Sequence, residues 1–306
     1  MAVRDQALDT REIVARRLQG GGTDWRSAVL EGLLLLTLLL SLGVLIVLLA
    51  DTLAKAIPVL IDRPVDFLTS PLSARPERAG IIQAVIGSVT VTLLVVLLAL
   101  PIGIGAAIYL EEYARDTRLA RFIRTNIRNL AGVPAIVYGL LGLAVFTTAL
   151  GLGSTALAGG LTLAVLVLPI VVITTMEALG AVPHAIREAA FGVGATRWET
   201  IRSHVLPYAA PGILTGTILS LARAFGETAP LLMVGAIAGT FSFVGAPWEQ
   251  LFEGYTTLPT IIYHWAGYPQ DEYRALGAAA IVVLLAVILL ANASAILLRN
   301  RYDRKW

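Results

Sequence analysis

The chain of 306 residues contains no cysteine, which excludes disulfides, thiolate metal sites and thiol catalysis. Only two lysines occur, Lys55 and Lys305, and neither lies in a G-x-x-x-x-G-K-[ST] loop. The polypeptide therefore cannot build a P-loop or hydrolyse ATP by itself. His184, His204 and His264 show no spacing that suggests a metal site, and nothing in the chain forms a nucleic-acid site. Charge is scarce as well: Asp, Glu, Lys and Arg make up 14% of residues, against roughly 25% in a soluble domain. What is abundant is apolar surface, 57% of the composition, gathered in long uncharged runs.

A bilayer core of ~30 Å needs about 20 helical residues. Gly32 to Ala50 supplies 19 uncharged residues, Gly80 to Leu110 supplies 31, and Asn129 to Met176 supplies 48. The last run is divided by Gly151-Leu152-Gly153-Ser154 into two spans. A fifth span runs from about Tyr208 to Ala238, and Ala275 to Leu298 makes a sixth. The positive residues cluster on one side, in the leader, in 111–128, in 177–207 and in the tail, 17 in all, against five in the opposite loops. The positive-inside rule then puts both termini in the cytoplasm. Ala54-Lys55-Ala56 has the form of a cleavage site, but the apolar run before it is too long for a signal peptide. Residues 4–18 could lie along the cytoplasmic surface as a weak amphipathic helix. All five tryptophans fall outside the apolar runs, as interfacial anchors do. Residues 51–79 look irregular, and 239–273 could rest on the membrane surface or receive a partner.

Between spans four and five, Pro183 suits a first helical position, Gly192 and Gly194 end that piece, and Thr196 with Glu199 makes a capping box for the next helix. The expectation is a helix-turn-helix knuckle, a docking surface with no visible chemistry. In span five, Arg223 and Glu227 are the only two charged residues between Ser203 and Trp248. Fifteen residues from Tyr208 place Arg223 ~22 Å along a helix, near the bilayer midplane. An ionisable residue there should face protein or water. Spacing i, i+4 puts the pair on one helix face, and Gly226 with Pro230 permits a bend beside it. A guanidinium fork suits a tetrahedral oxyanion, and its glutamate partner would favour release. A structural ion pair locking span five to a neighbour explains the same residues. The stretch 111–128 reads as an amphipathic interfacial helix, a topological anchor. Gly103, Gly105, Gly139 and Gly142 read as helix-packing positions.

The run Glu188-Ala189-Ala190, three residues, Gly194, nine residues, then His204-Val205-Leu206-Pro207 resembles the EAA loop of type I ABC importer permeases, with His204 in place of the usual Ile. "RAFGETAPLL", "EALGAVPHAIREAA" and "LPTIIYHW" resemble the phosphate-specific subgroup, and the small insertion after span one resembles its PstA-type permeases.

The resemblance, which runs from about Gln83 to Leu298, implies an all-α integral membrane protein with six transmembrane helices in the type I ABC importer (MetI-like) permease fold. On that reading, residues 1–28 form a cytoplasmic leader and 29–298 the permease domain with its coupling loop at 177–207. Residues 299–306 form a basic tail. Glu188, Ala189, Ala190, Gly194 and Thr196 would contact the ATPase, Arg223, Glu227 and Thr228 would line the substrate pathway, and Gly226 and Pro230 would form a hinge. The implied partners are a second, PstC-type permease, two ATPase subunits holding ATP and Mg²⁺, an extracytoplasmic phosphate-binding protein, and phosphate itself in the bacterial plasma membrane. No cofactor is expected on this chain. Another oxyanion, such as sulfate, molybdate or phosphonate, is a second reading. An intramembrane enzyme using Glu227 is a third, which lacks a polar partner in the other spans.

Overall fold

A computed structural model describes residues 25–236 and 248–302 of the chain. The expected surface helix at 4–18, Trp306, and Arg304 and Lys305 of the tail lie outside them. The chain divides into two units, Met1–Thr52 and Leu53–Trp306. The described part of the first unit is the beginning of a Leu-rich helix, α1 (Trp25–Asp62), whose residues 25–51 are all exposed. The elements that follow belong to the second unit.

They are α2 (Pro64–Thr69), α3 (Ile82–Ile108), α4 (Arg118–Ala131), α5 (Ala135–Gly142), α6 (Ala156–Gly180), α7 (His184–Gly192), α8 (Arg197–Thr200), α9 (Leu206–Gly226), α10 (Ala229–Met233), α11 (Leu258–Ala266) and α12 (Asp271–Tyr302). No strand occurs among the described residues. Wide π turns extend α3 at Tyr109–Tyr113, extend α5 at Leu143–Ala149, and join α8 to α9 at Ile201–Val205.

α3 and α6 pack along their length. Small residues let them approach: a Cβ on Gly103 would stand 2.7 Å from Val171, and one on Gly160 would stand 2.5 Å from Leu94. Three apolar clusters run along this pair. At the end that carries the 177–207 loop, Leu110, Leu179, Val182, Val205 and Ile213 meet. In the middle, Val91, Val95, Leu163, Val167 and Leu231 form the second cluster. At the opposite end, Phe67, Ile81, Leu258, Ile261 and Trp265 form the third.

Five helices are long and apolar enough to cross a membrane, and a sixth span arises if the pair α4–α5, bent by 100°, counts as one. The expected six thus stand as five to six, and the physical reason is local. Asn129, Leu130 and Ala131, read as the start of a span, complete the amphipathic α4. Pro134 disfavours helix at Val133, the chain turns, and the Tyr138 hydroxyl donates to the Leu130 carbonyl at 2.9 Å across the bend. That leaves 135–149 as a short membrane segment.

Other expectations change too. Residues 51–79 are largely helical, because α1 continues to Asp62 and Pro64 opens α2 at its first position. Arg63 then clamps the return of the chain by donating to the Glu77 and Pro76 carbonyls. The segment containing "LPTIIYHW" inserts α11 into the core instead of lying on a surface: Leu258, Pro259, Thr260 and Ile261 are buried. Trp265 is buried with them, at 2% exposure, so it is a core residue and not an interfacial anchor. Trp25, Trp198 and Trp248 are exposed.

Candidate functional site

The fifth span does not run unbroken from Tyr208 to Ala238. Its helix begins earlier, at Arg197, and carries the chain through the π turn into α9 as one 30-residue rod. Pro207 cannot donate an N–H and crowds the preceding turn, and the widened turn Ile201–Val205 accommodates it. The helix then stops at Gly226. Glu227 is extended (φ −75°, ψ 120°), and a second short helix, α10, starts after Thr228. Arg223 therefore occupies the last turn of a helix, where a cation complements the negative end of the helix dipole. The fifteen residues from Tyr208 to Arg223 lie within this helix, and the break comes after the arginine.

Arg223 Nε donates to Glu227 Oε1 at 3.2 Å across that break. The pair thus meets as the spacing suggested, although Glu227 lies beyond the helix and not on its face. The arginine side chain is 49% exposed and the glutamate 18%. Among the described residues, the two terminal guanidinium nitrogens have no partner. Tyr208, Thr215, Leu219 and Arg223 are all exposed and recur at helical spacing, so the guanidinium ends a stripe along α9. Thr228 follows on the far side of the break and makes no capping bond with its side chain.

Gly226 and Pro230 flank the bend differently. Gly226 is exposed with open space around its Cα, while Pro230 is buried. A Cβ on Gly139 would come within 2.7 Å of the Pro230 Cα, so α10 is seated directly on α5. The change of direction lies at Glu227 and Thr228, between a free glycine and a packed proline. Gly142 likewise has no room for a Cβ beside Thr162, whereas Gly105 has nothing near it.

The 177–207 loop forms the knuckle expected. Pro183 is the N-cap of α7 and not its first residue. Gly194 adopts φ +87°, the left-handed turn that only glycine enters cheaply. The Thr196–Glu199 capping box is present: the Thr196 N–H donates to Glu199 Oε2 at 2.8 Å, and the Glu199 N–H donates to Thr196 Oγ1 at 3.3 Å. The Thr196 N–H and hydroxyl, which both donate to the Glu199 carboxyl, hold it below the usual glutamate range. Glu188, Ala189, Gly194 and Thr196 are exposed, whereas Ala190 is buried and packs the knuckle onto the protein.

Two groups of residues escaped the sequence reading. Phe191, Val193 and Trp198 are all exposed, Val193 at 86%, and give the knuckle an apolar tip. The second group is an ion pair: Arg187 Nη2 meets Glu112 Oε1 at 2.6 Å, with side chains only 15% and 8% exposed. Glu112 sits in the stretch read as a mere anchor, 75 residues away. Close by, Glu111, Arg124, Arg128 and Glu177 line a cavity of about 150 Å³ in which charges of both signs are balanced. Among the described residues, no group of His, Asp and Glu is placed to hold a metal ion.

Comparison with known proteins places this geometry. The chain is 33% identical to the phosphate transport system permease protein PstA of Haemophilus influenzae, over 88% of this chain and 93% of that protein. It is 34% identical to a PstA of Xylella fastidiosa, over 77% and 81%. It is 36% identical to the probable ABC transporter permease protein YqgI of Bacillus subtilis, over 56% of this chain and 58% of that protein. In fold it resembles a chain of a bacterial alginate ABC transporter (TM-score 0.69, 17% identity, 92% and 96% covered). It also resembles a chain of the inward-facing MetNI methionine ABC transporter (TM-score 0.60, 19% identity, 73% and 96% covered). The architecture is the type I ABC importer permease fold. Residues 99–305 match the family described as the binding-protein-dependent transport system inner membrane component, and to that family of multi-pass inner membrane proteins the chain belongs.

Proposed function

We propose that the chain is the PstA-type permease subunit of an importer for inorganic phosphate, with Arg223 as the residue that meets the anion. The observation that carries this reading is the way Arg223 is held. Its Nε is engaged by Glu227, which orients the guanidinium, and among the described residues the two-pronged terminal edge has no partner. That edge matches two oxygens of a tetrahedral oxyanion. The non-helical residues Glu227 and Thr228 at the break support the same reading. Irregular backbone at membrane depth is tolerated where it lines a cavity, and transporters bind cargo at interrupted helices. Relatives named for phosphate transport favour phosphate over other oxyanions.

The chain is a transport subunit and not an enzyme, so ATP is hydrolysed by a partner. On this reading a second, PstC-type permease covers the exposed stripe of α9, and the pore lies between the two. Two ATPase subunits, holding ATP and Mg²⁺, receive the knuckle of α7 and α8 with its apolar tip, and a phosphate-binding protein delivers cargo on the other side. Both termini are cytoplasmic. ATP-driven closure pushes Glu188, Ala189 and their neighbours, and the pore shifts between two populations, one open outward and one open inward. Glu227 keeps the Nε of Arg223 while phosphate takes the terminal nitrogens, and its negative charge beside the anion helps the anion leave.

The test is labelled-phosphate uptake in cells lacking the gene, restored with wild type or Arg223→Gln, with sulfate as control anion and surface abundance checked. Wild type should restore phosphate uptake alone, and the variant should assemble without transporting. Normal transport by the variant would make the ion pair structural. Uptake of sulfate alone would reassign the cargo.

A further inference from the structure

Arg187 precedes Glu188 in the knuckle but points the other way, into the protein. Its guanidinium is almost fully occupied. Nη2 reaches Glu112 Oε1 at 2.6 Å, and Nε lies 3.3 and 3.4 Å from the two Glu112 oxygens. Nη1 donates to the Val182 carbonyl at 2.7 Å, and Nη2 donates also to Leu179 at 2.9 Å. One side chain thus joins the end of α3, the end of α6 and helix α7. The neighbouring piece is attached to the same turn: the Arg197 guanidinium lies 5.5 Å from the centre of the Tyr113 ring. A charge-assisted, bidentate contact of this kind is strong and geometrically specific, and with both side chains largely withdrawn from water parting them is costly.

The covalent route out of the knuckle is of another kind. α8 has four residues and passes into α9 through the π turn Ile201–Val205. Such turns are local departures from regular helix geometry and recur at functional sites. We propose that Glu112 and Arg187 are positioning residues that stay joined throughout the transport cycle, so that a push on the knuckle moves α3 directly and not only α9. This rests on the reading that the knuckle meets an ATPase. It assigns to the pair a role in the efficiency of coupling, apart from any contact with cargo.

The chain lacks cysteine, which makes the test clean. The complete complex, with cysteine-free partners, is reconstituted in vesicles, and ATP hydrolysis and phosphate uptake are measured together. Glu112→Gln should assemble and hydrolyse ATP, yet import between about 2- and 30-fold less phosphate per ATP, the range over which residues along a coupling route act. Glu112→Asp, which keeps the charge, should lose less. In Glu112→Cys/Arg187→Cys, joining the thiols with a short bifunctional thiosulfonate should raise the ratio again, and reductant should reverse the gain. If Glu112→Gln fails to assemble, the cross-linked pair alone decides. An unchanged ratio in Glu112→Gln overturns the proposal, and so does a cross-link that stops the cycle, because the contact would then have to open. Failure of the substrate reading looks different: wild type would import no phosphate, and the tie would be judged on whether cross-linking preserves the stimulation of ATP hydrolysis by the cargo-binding partner.

Discussion

Gly87 and Thr256 touch with no side chain between them: the Thr256 carbonyl oxygen occupies the space that a Cβ on residue 87 would need. One residue on, the Ser88 hydroxyl accepts the Leu258 N–H at 2.8 Å. Together these contacts dock α11 on α3. Gly87→Ala should therefore lift α11 and destabilise the protein by about 1–3 kcal/mol, the usual range for overpacking. Gly105→Ala, with open space around it, should be neutral. Thermal unfolding of the two variants, followed by tryptophan fluorescence, checks both.

Arg223→Lys retains the charge and loses the fork. A lysine ammonium cannot hold Glu227 through one nitrogen while presenting two more in a plane. Uptake should fall by at least about tenfold, as expected when a bidentate contact worth ~1.5–3 kcal/mol is lost. Initial rates at saturating and limiting phosphate would show the effect, and a lysine variant with wild-type rates would remove the geometric part of the argument.

The knuckle should respond to pH in one direction. Glu199 has its carboxyl depressed by the Thr196 N–H and hydroxyl. A depressed acid stabilises the folded form wherever it is ionised, and that stabilisation disappears as pH falls through the folded-state value. The capping box is thus complete throughout the neutral range and is lost only below the ordinary glutamate range. Glu199→Gln should mimic the acid state at neutral pH, with faster hydrogen exchange confined to residues 196–200. Exchange equal to wild type would show that the box contributes nothing.

The apolar tip offers a separate readout. Val193→Asp places a charge on a residue that is 86% exposed. The variant should be as abundant and as heat-stable as wild type, yet recover less ATPase subunit on purification. Full recovery would place the ATPase contact elsewhere.

Much of this molecule can be read from residue order alone, where the cause is local. The capping box at Thr196, the left-handed Gly194 and the pairing of Arg223 with Glu227 depend on residues no more than four apart, so spacing reveals them. The break after Gly226 is partly legible, because Gly226 and Pro230 permit a bend, while the local residues do not reveal how the chain is seated beyond it. Beyond the break, Pro230 is seated so close to Gly139 on α5 that a Cβ there would lie 2.7 Å from its Cα, a contact between residues far apart in the chain. Trp265 differs from expectation for a similar reason: its neighbours in sequence look interfacial, and it is buried in a cluster with Phe67 and Ile81, far back in the chain. The Glu112–Arg187 tie is of this kind as well. Two charges 75 residues apart carry no signal of contact until the fold brings them together.

Ending α9 at Gly226 has a consequence for how long an anion stays. The last carbonyls of a helix carry roughly half a negative charge, and Arg223 is the basic residue in the last turn of α9. On the phosphate reading, an arriving anion is drawn by Arg223 and repelled by these dipoles and by Glu227 at the same moment. Such a balance of opposing charges favours a brief dwell over tight retention at the arginine.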